Sequence, residues 1–473
     1  MAVNAKFVHS SLAAWVLAEA IPKFSRLPHD VKVVEATINQ SDEEIATLVE
    51  AFSPDVIGVS TYIWNARKLP ELLKLLRECL PNAIFVLGGP ESTFNAEFWL
   101  EYGAGFVVKG EGERSFAELL DRIALCRGCT PGRPVIDEPI IESEQLVEFT
   151  NPQSEEYFAS LDNRLAYIET SRGCPFRCSF CLSAGTNVRF MPLEQAFKQI
   201  ERLSQTSVQT IKFVDRTFNC NTDRAYKIFE FVIRLDTKCC FHFEVGADLF
   251  DVRTLELLAT APVGRIQFEA GLQSFFAPTL KAVARQTDQQ LAEQNIRAIL
   301  TNGNIHVHVD LIAGLPFETL PDLANSFDRA FDLTADVLQL GFLKMLHGSV
   351  LRERNSQIVY SEQAPYEIIS NSWLSEDDLK IVKSAENALN RTYNKGRFLS
   401  ALKYVLDVSK LRPFELFRIL GESVPNHGMA LQEYTKQIYK CLSKFPNVNA
   451  DELRDYMNAD WIQMTKGERL PKF

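Results

Sequence analysis

Three cysteines within eight residues constrain this chain more than any other feature. Cys174, Cys178 and Cys181 follow an apolar, strand-like run at 165–168, and a turn containing Gly173 separates that run from the first cysteine. Three thiolates on one short loop can converge on a polynuclear iron cluster, because soft sulfur ligands suit iron–sulfur cores. A cubane cluster has four irons, so three cysteines leave one iron without a protein ligand. We therefore expect a cluster with one open coordination site.

Two alternatives exist for the same thiols. In the first, they are ordinary buried or incidental cysteines. In the second, they are ligands of a zinc ion. A closed structural zinc site usually takes four protein ligands, and no CxxC or HxxxH pair follows downstream at the spacing of a zinc finger. The spacing therefore favours the iron cluster over zinc.

The cysteine loop resembles that of the radical S-adenosylmethionine (SAM) enzymes, including an aromatic residue, Phe180, directly before the third cysteine. In that family a [4Fe-4S] cluster takes the amino and carboxylate groups of SAM at its open iron. Electron transfer then cleaves SAM to a 5′-deoxyadenosyl radical. The resemblance therefore implies an external one-electron reductant of the flavodoxin or ferredoxin type.

Composition restricts the class of protein and its compartment. With 46% hydrophobic and 23% charged residues, the 473-residue chain has the balance of a soluble globular protein of two or three domains. Ten cysteines are too few for a disulfide scaffold, and an oxygen-labile cluster favours a reducing compartment, so we expect a cytoplasmic protein. The formal charge of −11 disfavours nonspecific attraction to nucleic acid. No apolar run approaches the roughly 18 residues of a membrane helix. We expect a monomer that acts on a small molecule or peptide, with neither a nucleic acid nor a membrane as partner.

Residues 1–125 alternate short apolar runs with amphipathic segments. Runs typical of buried parallel strands lie at 32–38, 55–60, 83–87 and 105–109. Only residues 1–3 precede the first loop, so we expect a short first strand. The alternation predicts an α/β, doubly wound, Rossmann-like (flavodoxin-like) sheet, whose ligands bind beyond the carboxyl ends of its strands.

The loops at those strand ends together resemble the cobalamin-binding domain that precedes many radical SAM barrels. The runs GGPEST at 88–93 and GEGE at 110–113 carry most of the resemblance. It implies that the groove for the nucleotide tail is lined by Gly88, Gly89, Pro90, Glu91, Ser92, Gly110, Glu111 and Gly112. It also implies that the residues under the corrin ring include Asn4, Lys6, His9, Ser10, Thr61, Tyr62, Trp64 and Asn65. Each glycine loop taken alone has an ordinary alternative as a tight turn.

The lower ligand of cobalt is a further expectation. Some cobalamin enzymes supply a histidine from a DxHxxG motif, and here no glycine follows His9 at the required place. We therefore expect base-off cobalamin without a histidine ligand.

A second block of alternation follows a predicted linker at 126–163, which is rich in glycine, proline and acidic residues. Its six strand-like runs lie at 165–170, 210–215, 240–245, 265–269, 305–312 and 336–342. Six βα units, with the cysteine loop after the first strand, resemble the partial (β/α)6 TIM-type barrel of the radical SAM enzymes. We predict this barrel over 164–352. Barrel sites lie at the C-terminal ends of the strands.

The strand ends supply candidate SAM-binding residues. With Phe180 from the cysteine loop, the set is Asp215, Thr217, Glu244, Gln273, Ser274 and Gly314. The second strand ends in VDRTF where the family often has a Gly-Gly-Glu-like motif, so the choice between Asp215 and Thr217 stays open. A solvated carboxylate is the alternative for Glu244, and a simple turn is the alternative for Gly314.

The stretch after the sixth strand resembles the Leu-Lys-x-Leu-Pro-Gly-Thr stretch of the family. In this stretch Lys344 and His347 are candidate substrate contacts. A solvated lysine is the alternative for Lys344. Beyond them, residues 353–473 carry apolar stripes at helical spacing, which predict a C-terminal α-helical domain.

These resemblances imply a cobalamin-dependent radical SAM enzyme whose cofactors are a [4Fe-4S] cluster, SAM and cobalamin. In the commonest scheme of that family, the radical removes hydrogen from an unactivated carbon and cobalamin delivers a methyl group to it. One alternative is a radical rearrangement, cyclisation or oxidation without methyl transfer. Another is a cobalamin sensor or carrier without catalysis, which has no use for an open iron. The sequence leaves the catalytic residues unassigned.

Overall fold

A computed structural model describes residues 1–127, 138–146, 148–354, 357–424 and 428–466. The first six strands form one parallel sheet in the order β2-β1-β3-β4-β5-β6. These strands are β1 (Ala2–Asn4), β2 (Glu35–Thr37), β3 (Val56–Ser60), β4 (Ile84–Gly88), β5 (Phe106–Lys109) and β6 (Ile140–Glu142). The helices that connect them are α1 (Leu12–Phe24), α2 (Asp42–Glu50), α3 (Leu69–Cys79), α4 (Pro90–Phe94), α5 (Ala96–Glu101) and α6 (Gly112–Arg127). The predicted doubly wound sheet is confirmed.

Local sequence explains several of these elements. Helix α2 begins at a capping box, in which the Glu44 N–H donates to Ser41 Oγ and the Ser41 N–H donates to the Glu44 carboxylate. Helix α3 packs one fully buried stripe against the sheet; its members are Leu69, Leu72, Leu73 and Leu76. The strand order changes direction between β1 and β3. That switch point opens a crevice at the carboxyl ends of these two strands.

The predicted linker contains regular structure. Residues 128–137 and 147 of this stretch lie outside the described residues. Strand β6 pairs in parallel with β5, and helix α7 (Glu155–Ser160) follows it. Sequence reasoning missed both elements because three and six residues are too short to carry a clear periodic pattern.

A second parallel sheet has the order β14-β13-β12-β11-β10-β7, so β7 and β14 are its edge strands. Its strands are β7 (Ala166–Ile168), β10 (Thr210–Phe213), β11 (Cys240–Val245), β12 (Ile266–Gln273), β13 (His306–Ala313) and β14 (Val337–Phe342). An antiparallel hairpin, β8 (Ser171–Cys174) with β9 (Thr186–Phe190), follows β7. The connecting helices are α8 (Leu193–Ser204), α9 (Thr222–Arg234), α10 (Val252–Ala259), α11 (Ala277–Ala282), α12 (Gln289–Thr301) and α13 (Leu320–Phe331). All six predicted strands are present.

The strands of this sheet alternate between an apolar and a polar face. The apolar face packs against the helices through aromatic rings that contact one another, including Phe213, Phe229, Phe243 and Phe268. The opposite face carries polar side chains, which are Lys212, His242, Glu244, Gln267, Glu269, His308 and Asp310. A barrel interior is usually filled by branched apolar residues, so this polar face marks a place for a ligand.

The C-terminal region begins with a hairpin and continues as helices. Helix α14 (Val350–Arg354) leads into β15 (Ile358–Tyr360) and β16 (Ile368–Asn371), a hairpin that the sequence did not predict. The later helices are α15 (Glu376–Arg391), α16 (Leu399–Ser409), α17 (Pro413–Ser423), α18 (Leu431–Leu442) and α19 (Ala450–Thr465). Across the described ranges, no helix combines the length and the apolar character that crossing a bilayer requires.

Candidate active site

The three cysteines lie at the tip of the β8–β9 hairpin. Gly173 has a φ of +98°, and a Cβ at this position would lie 2.3 Å from the Asn187 carbonyl oxygen, so the turn requires glycine. The Cys174 N–H donates to Thr186 Oγ1 at 3.0 Å, which closes the base of the loop. The hairpin therefore presents a short, fixed loop at the barrel mouth.

Backbone contacts hold the middle of this loop from two sides. The Ser179 N–H donates to the Val283 carbonyl at 2.9 Å, and the Leu351 N–H donates to the Ser179 carbonyl at 2.8 Å. Val283 follows α11 and Leu351 belongs to α14, so elements far apart in sequence fix the position of the loop.

The thiols have the chemistry that an iron–sulfur cluster needs. Cys174 and Cys178 are buried and Cys181 is half-buried. Burial raises the pKa of the Cys181 thiol, and the neighbouring Cys178 and Cys174 thiols raise it further. Within the described residues, no three histidine, cysteine or acidic side chains converge on a single metal ion. The three residues fit an iron–sulfur cluster by ligand type and by their position on one loop.

A cavity of about 190 Å³ lies beside the cysteine loop, at the C-terminal ends of strands β11 to β13. The structure brings three of the predicted SAM-binding residues to its wall; they are Thr217, Glu244 and Gln273. Residues of the wall that were not predicted as SAM ligands include Phe176, Arg216, Asp248, Glu269, Arg285 and Asp310. The alternation of polar and apolar residues in β12 and β13 was the available signal for Glu269 and Asp310.

The cavity wall is acidic. Glu244 and Glu269 are directly opposite each other on β11 and β12, an unfavourable arrangement for two carboxylates without a cation. Burial raises the pKa of Glu244 to about 7. Burial, together with Glu269 and Glu244, raises the pKa of Asp310 well above its usual range. Such a wall favours a ligand that carries positive charge or several hydrogen-bond donors.

Two arginines balance these acids near the cysteine loop. Arg285 Nη2 donates to the Gly271 carbonyl at 2.7 Å, and its Nη1 lies 3.8 Å from Cys178 Sγ. Arg216 opposes the effect of burial at Glu244 and at Cys181, because its charge lowers the pKa of both groups. No sequence motif marks Arg285, which follows the short helix α11.

The structure does not bring the other predicted SAM-binding residues to the cavity wall. Asp215 is buried and accepts hydrogen bonds from Thr170 N–H, Thr170 Oγ1 and Ser171 Oγ, so its carboxylate anchors the start of the hairpin. Gly314 has a φ of +95°, and its carbonyl accepts from Asn371 Nδ2 at 2.9 Å. Phe180 packs against the core of the barrel.

Ser274 is also occupied elsewhere. It is fully buried and donates to Glu318 Oε1 at 2.5 Å, and Ser326 donates to the same oxygen at 2.9 Å. The polar residue at the end of β12 therefore supports the neighbouring loop.

The two candidate substrate residues, Lys344 and His347, contact the C-terminal hairpin region. Lys344 pairs with Glu367 in a β-bridge, and the His347 ring packs edge-on against Tyr366 at 4.9 Å. Burial lowers the pKa of His347 to about 4, so its ring is neutral at neutral pH.

At the switch point of the first sheet, some predicted cobalamin residues form the framework of the loops. Thr61 Oγ1 donates to the Gly88 carbonyl, and Asn65 Nδ2 donates to the Val3 and Ser60 carbonyls. Gly89 has a φ of +104°, and a Cβ there would lie 2.6 Å from the Thr61 carbonyl oxygen. Ser92 is fully buried, and its N–H donates to Thr61 Oγ1. Asn4 and Ser10 are likewise buried and hydrogen-bonded.

Other predicted residues present surface at the same switch point. Tyr62 and Trp64 stack with ring centroids 4.2 Å apart, and 43% of the Trp64 surface is exposed. Lys6 is exposed on the preceding loop. Stacked aromatic rings beside an open crevice suit a large planar ligand. The residues therefore fit a corrin ring at this position.

For two acidic residues the structure shows protein partners where the sequence predicted cobalamin. Glu91 is buried and accepts a hydrogen bond from the Tyr366 hydroxyl. Glu111 pairs with Arg172 and Arg189 on the β8–β9 hairpin. Both carboxylates are thus used between parts of the chain that the sequence treats as separate domains.

Family comparisons match this architecture. Residues 1–120 match the model of the B12 binding domain, and residues 168–330 match the radical SAM superfamily. This chain combines a B12-binding domain with a radical SAM domain. Residues 355–473 match a family described as a protein of unknown function (DUF4080). The first two domains imply an iron–sulfur cluster, SAM and cobalamin as cofactors.

Curated relatives are similar over part of their length. An uncharacterized methyltransferase of Pyrococcus horikoshii is 25% identical over 69% of this chain and 75% of its own length. The hopanoid C-3 methylase of Methylococcus capsulatus is 24% identical over 53% of this chain and 50% of its own length. The anaerobic magnesium-protoporphyrin IX monomethyl ester cyclase of Rubrivivax gelatinosus is 26% identical over 65% of this chain and 60% of its own length. This chain thus spans between half and three quarters of these relatives.

Solved structures support the same fold. The radical SAM methyltransferase TsrM of Kitasatospora setae, with tryptophan substrate and a SAM analogue bound, aligns with a TM-score of 0.59 at 18% identity. That alignment covers 76% of this chain and 78% of TsrM. The cobalamin-dependent radical enzyme OxsB aligns with a TM-score of 0.60 at 14% identity, over 95% of this chain and 76% of OxsB.

The cluster assignment predicts the effect of removing one thiol. Replacing Cys174 with alanine leaves two thiolates, so reconstituted protein should fall from about four bound irons per chain toward none. Iron analysis and the visible absorbance that bleaches on reduction both report this loss. The control is Cys79→Ala, at an exposed thiol on α3, which should keep its iron. Full iron content in the Cys174→Ala protein would contradict the assignment.

The buried acid beside Ser274 predicts a pH-dependent stability. Burial raises the pKa of Glu318 from 4.5 to about 7, so between these values the folded protein holds a proton that the unfolded chain releases. The free energy of unfolding should therefore fall as pH rises through this window. Glu318→Gln has no such proton to release. Relative to wild type, its free energy of unfolding should therefore rise by up to about 3 kcal/mol as pH increases through this window.

Urea unfolding of the cofactor-free protein at several pH values measures this difference. Glu256→Gln, at an exposed position on α10, is the control and should follow the wild-type profile. Parallel wild-type and Glu318→Gln profiles would show that the acid does not hold the proton.

Proposed function

We propose that this chain is a cobalamin-dependent radical SAM methyltransferase that methylates an unactivated carbon of a small molecule or peptide. Arg216 carries the proposal, because it lies in the cavity wall next to the cysteine loop and also acts on the B12-binding domain. Burial raises the pKa of Tyr62, and the charge of Arg216 lowers it. The same guanidinium acts on Cys181. Arg216 therefore lies within electrostatic reach of both loops, which supports a space shared by the two cofactors.

Contacts along the open edge of the barrel support this arrangement. The Leu165 N–H donates to the Val8 carbonyl at 2.8 Å, and Ser10 Oγ donates to the Leu165 carbonyl at 2.8 Å. His9 Nδ1 shares a hydrogen bond of 2.6 Å with the Tyr167 hydroxyl on β7. The loop predicted under the corrin thus packs along an edge strand of the barrel.

When bound, the [4Fe-4S] cluster supplies the electron that cleaves SAM to a radical, and cobalamin supplies a transferable methyl group. The chain's own residues bind and orient. Glu244, Glu269 and Asp310 give the cavity a wall of carboxyl groups that can share hydrogen bonds with the ammonium and hydroxyl groups of SAM. Thr217 Oγ1 lies 3.6 Å from Cys174 Sγ and lines the path between the loop and the cavity. The first domain packs along the edge strand β7 of the barrel.

The reaction type rests on the relatives. Those from Pyrococcus and Methylococcus are named a methyltransferase and a methylase, and the TsrM structure is titled a methyltransferase. The Rubrivivax cyclase favours a second candidate, a radical cyclisation or oxidation without methyl transfer. We further propose a flavodoxin- or ferredoxin-type reductant, and domains at 1–125, 164–352 and 353–473 joined by the segment 126–163.

The fate of SAM tests the proposal. Reconstituted protein with cobalamin, a one-electron reductant and methyl-labelled SAM should form S-adenosylhomocysteine as well as 5′-deoxyadenosine. Protein prepared without cobalamin should form only the second product, because no methyl acceptor is present. Chromatography with mass detection separates the two. Cobalamin-loaded protein that forms 5′-deoxyadenosine but no S-adenosylhomocysteine would overturn methyl transfer and favour the cyclase-type candidate.

A further inference from the structure

Two arginines face each other on the hairpin that carries the cysteine loop. Arg172 on β8 and Arg189 on β9 are cross-strand partners. Like charges directly opposite each other destabilise a strand pair. An isolated two-stranded hairpin is also marginally stable by itself. This hairpin therefore needs anions close to both guanidinium groups.

The B12-binding domain provides those anions. Glu111 Oε2 accepts from Arg172 Nη1 at 2.9 Å and from Arg189 Nη1 at 3.1 Å, while its Oε1 accepts from Arg189 Nη2. Glu113 accepts from Arg172 Nη2. One carboxylate thus bridges the two arginines, and a second holds the remaining end of Arg172.

The hairpin side contributes one further acid. Glu169 Oε2 accepts from Arg172 Nε at 2.7 Å, so three carboxylates surround the Arg172 guanidinium. The side chains of Arg172 and Glu113 are 14% and 4% exposed, so solvent screens this cluster weakly. Removing one partner from such a cluster leaves an uncompensated buried charge.

The position of these paired arginines and glutamates in the fold gives them a role beyond stability. Glu111 and Glu113 follow β5, at the carboxyl end of the first sheet. The predicted corrin loops lie at the same end of this sheet. Cys174 ends β8, two residues beyond Arg172. These carboxylates therefore join the loop after β5 to the hairpin that carries the three thiols.

We infer that Glu111 and Glu113 are positioning residues that fix the distance and orientation between cobalamin and the iron–sulfur cluster. The inference rests on the pairing of both cofactors in the proposed function. It differs from the assignment of Glu111 to the nucleotide tail of cobalamin. A displacement of about 1 Å between reacting groups costs on the order of 100-fold in rate, so such a connection matters for turnover.

Pulsed electron paramagnetic resonance on full-length protein tests the inference. With the cluster reduced and cobalt in the cob(II)alamin state, the magnetic coupling between the two centres reports their separation without turnover. We expect wild type to give one narrow distance. Glu111→Gln should bind the same amounts of iron and cobalamin, but with a broadened distance distribution and a lower kcat for consumption of SAM.

Two further variants make the result specific. Arg189→Gln in the Glu111→Gln background removes one of the opposed charges, so the double variant should recover a narrower distribution than Glu111→Gln alone. If Glu111→Gln fails to fold, Arg189→Gln alone should still shift the iron–cobalt distance, because it removes the hydrogen bonds between β9 and Glu111. Glu142→Gln, which removes an exposed ion pair with Lys109 in the same domain, is the control and should match wild type.

The outcomes separate this inference from the proposed function. An unchanged distance in both the Glu111→Gln and the Arg189→Gln proteins would overturn the inference, whatever products SAM gives. Loss of cobalamin with Glu111→Gln and an intact cluster would also overturn it, and would make Glu111 a cobalamin ligand. A broadened distance in Glu111→Gln, together with a wild-type protein that forms no S-adenosylhomocysteine, would support the positioning role and reject methyl transfer.

Discussion

The ion cluster around Arg172 and Arg189 is the interaction on which the rest of this structure depends. Two guanidinium groups oppose each other on the hairpin that carries the thiols, and Glu111 of the other domain bridges them. In water such pairs contribute little, but burial makes the loss of a partner costly. The B12-binding domain and the cluster-bearing hairpin are therefore mutually dependent. Their relative position rests on this charge pairing together with the hydrogen bonds that join Val8 and Ser10 to Leu165.

The open side of the barrel explains why that position matters for chemistry. The second sheet ends at β7 and β14, so a gap between them gives access to its polar face. The loop at Ser10 packs along β7, and Glu91 contacts Tyr366, which follows β15 in the C-terminal hairpin. The B12-binding domain thus contacts elements on both sides of the gap. The charge of Arg216, in the cavity wall, lowers the pKa of Tyr62 in the first domain and of Cys181 in the second.

Local patterns predicted the fold and the cysteine loop, while the long-range charge pairing of some candidate site residues could not be read from the sequence. The strands and helices were visible because periodicity is a property of neighbouring residues. Glu111 was assigned to cobalamin because its glycine-rich context suggests a ligand loop, yet its partners lie 61 and 78 residues away. Asp215 ends a strand as a ligand-binding acid does, but its oxygens accept from Thr170 and Ser171. Sequence alone does not reveal which partner satisfies a polar side chain.

The central claim is that both cofactors border one cavity between the B12-binding domain and the barrel. Anomalous diffraction at the iron and cobalt absorption edges, from crystals of the reconstituted protein, measures this directly. The account predicts iron among the sulfurs of Cys174, Cys178 and Cys181, and cobalt beyond the carboxyl ends of β1 and β3 on the side facing Arg216. Cobalt on a surface that does not face the cavity, or iron away from these three sulfurs, would contradict it.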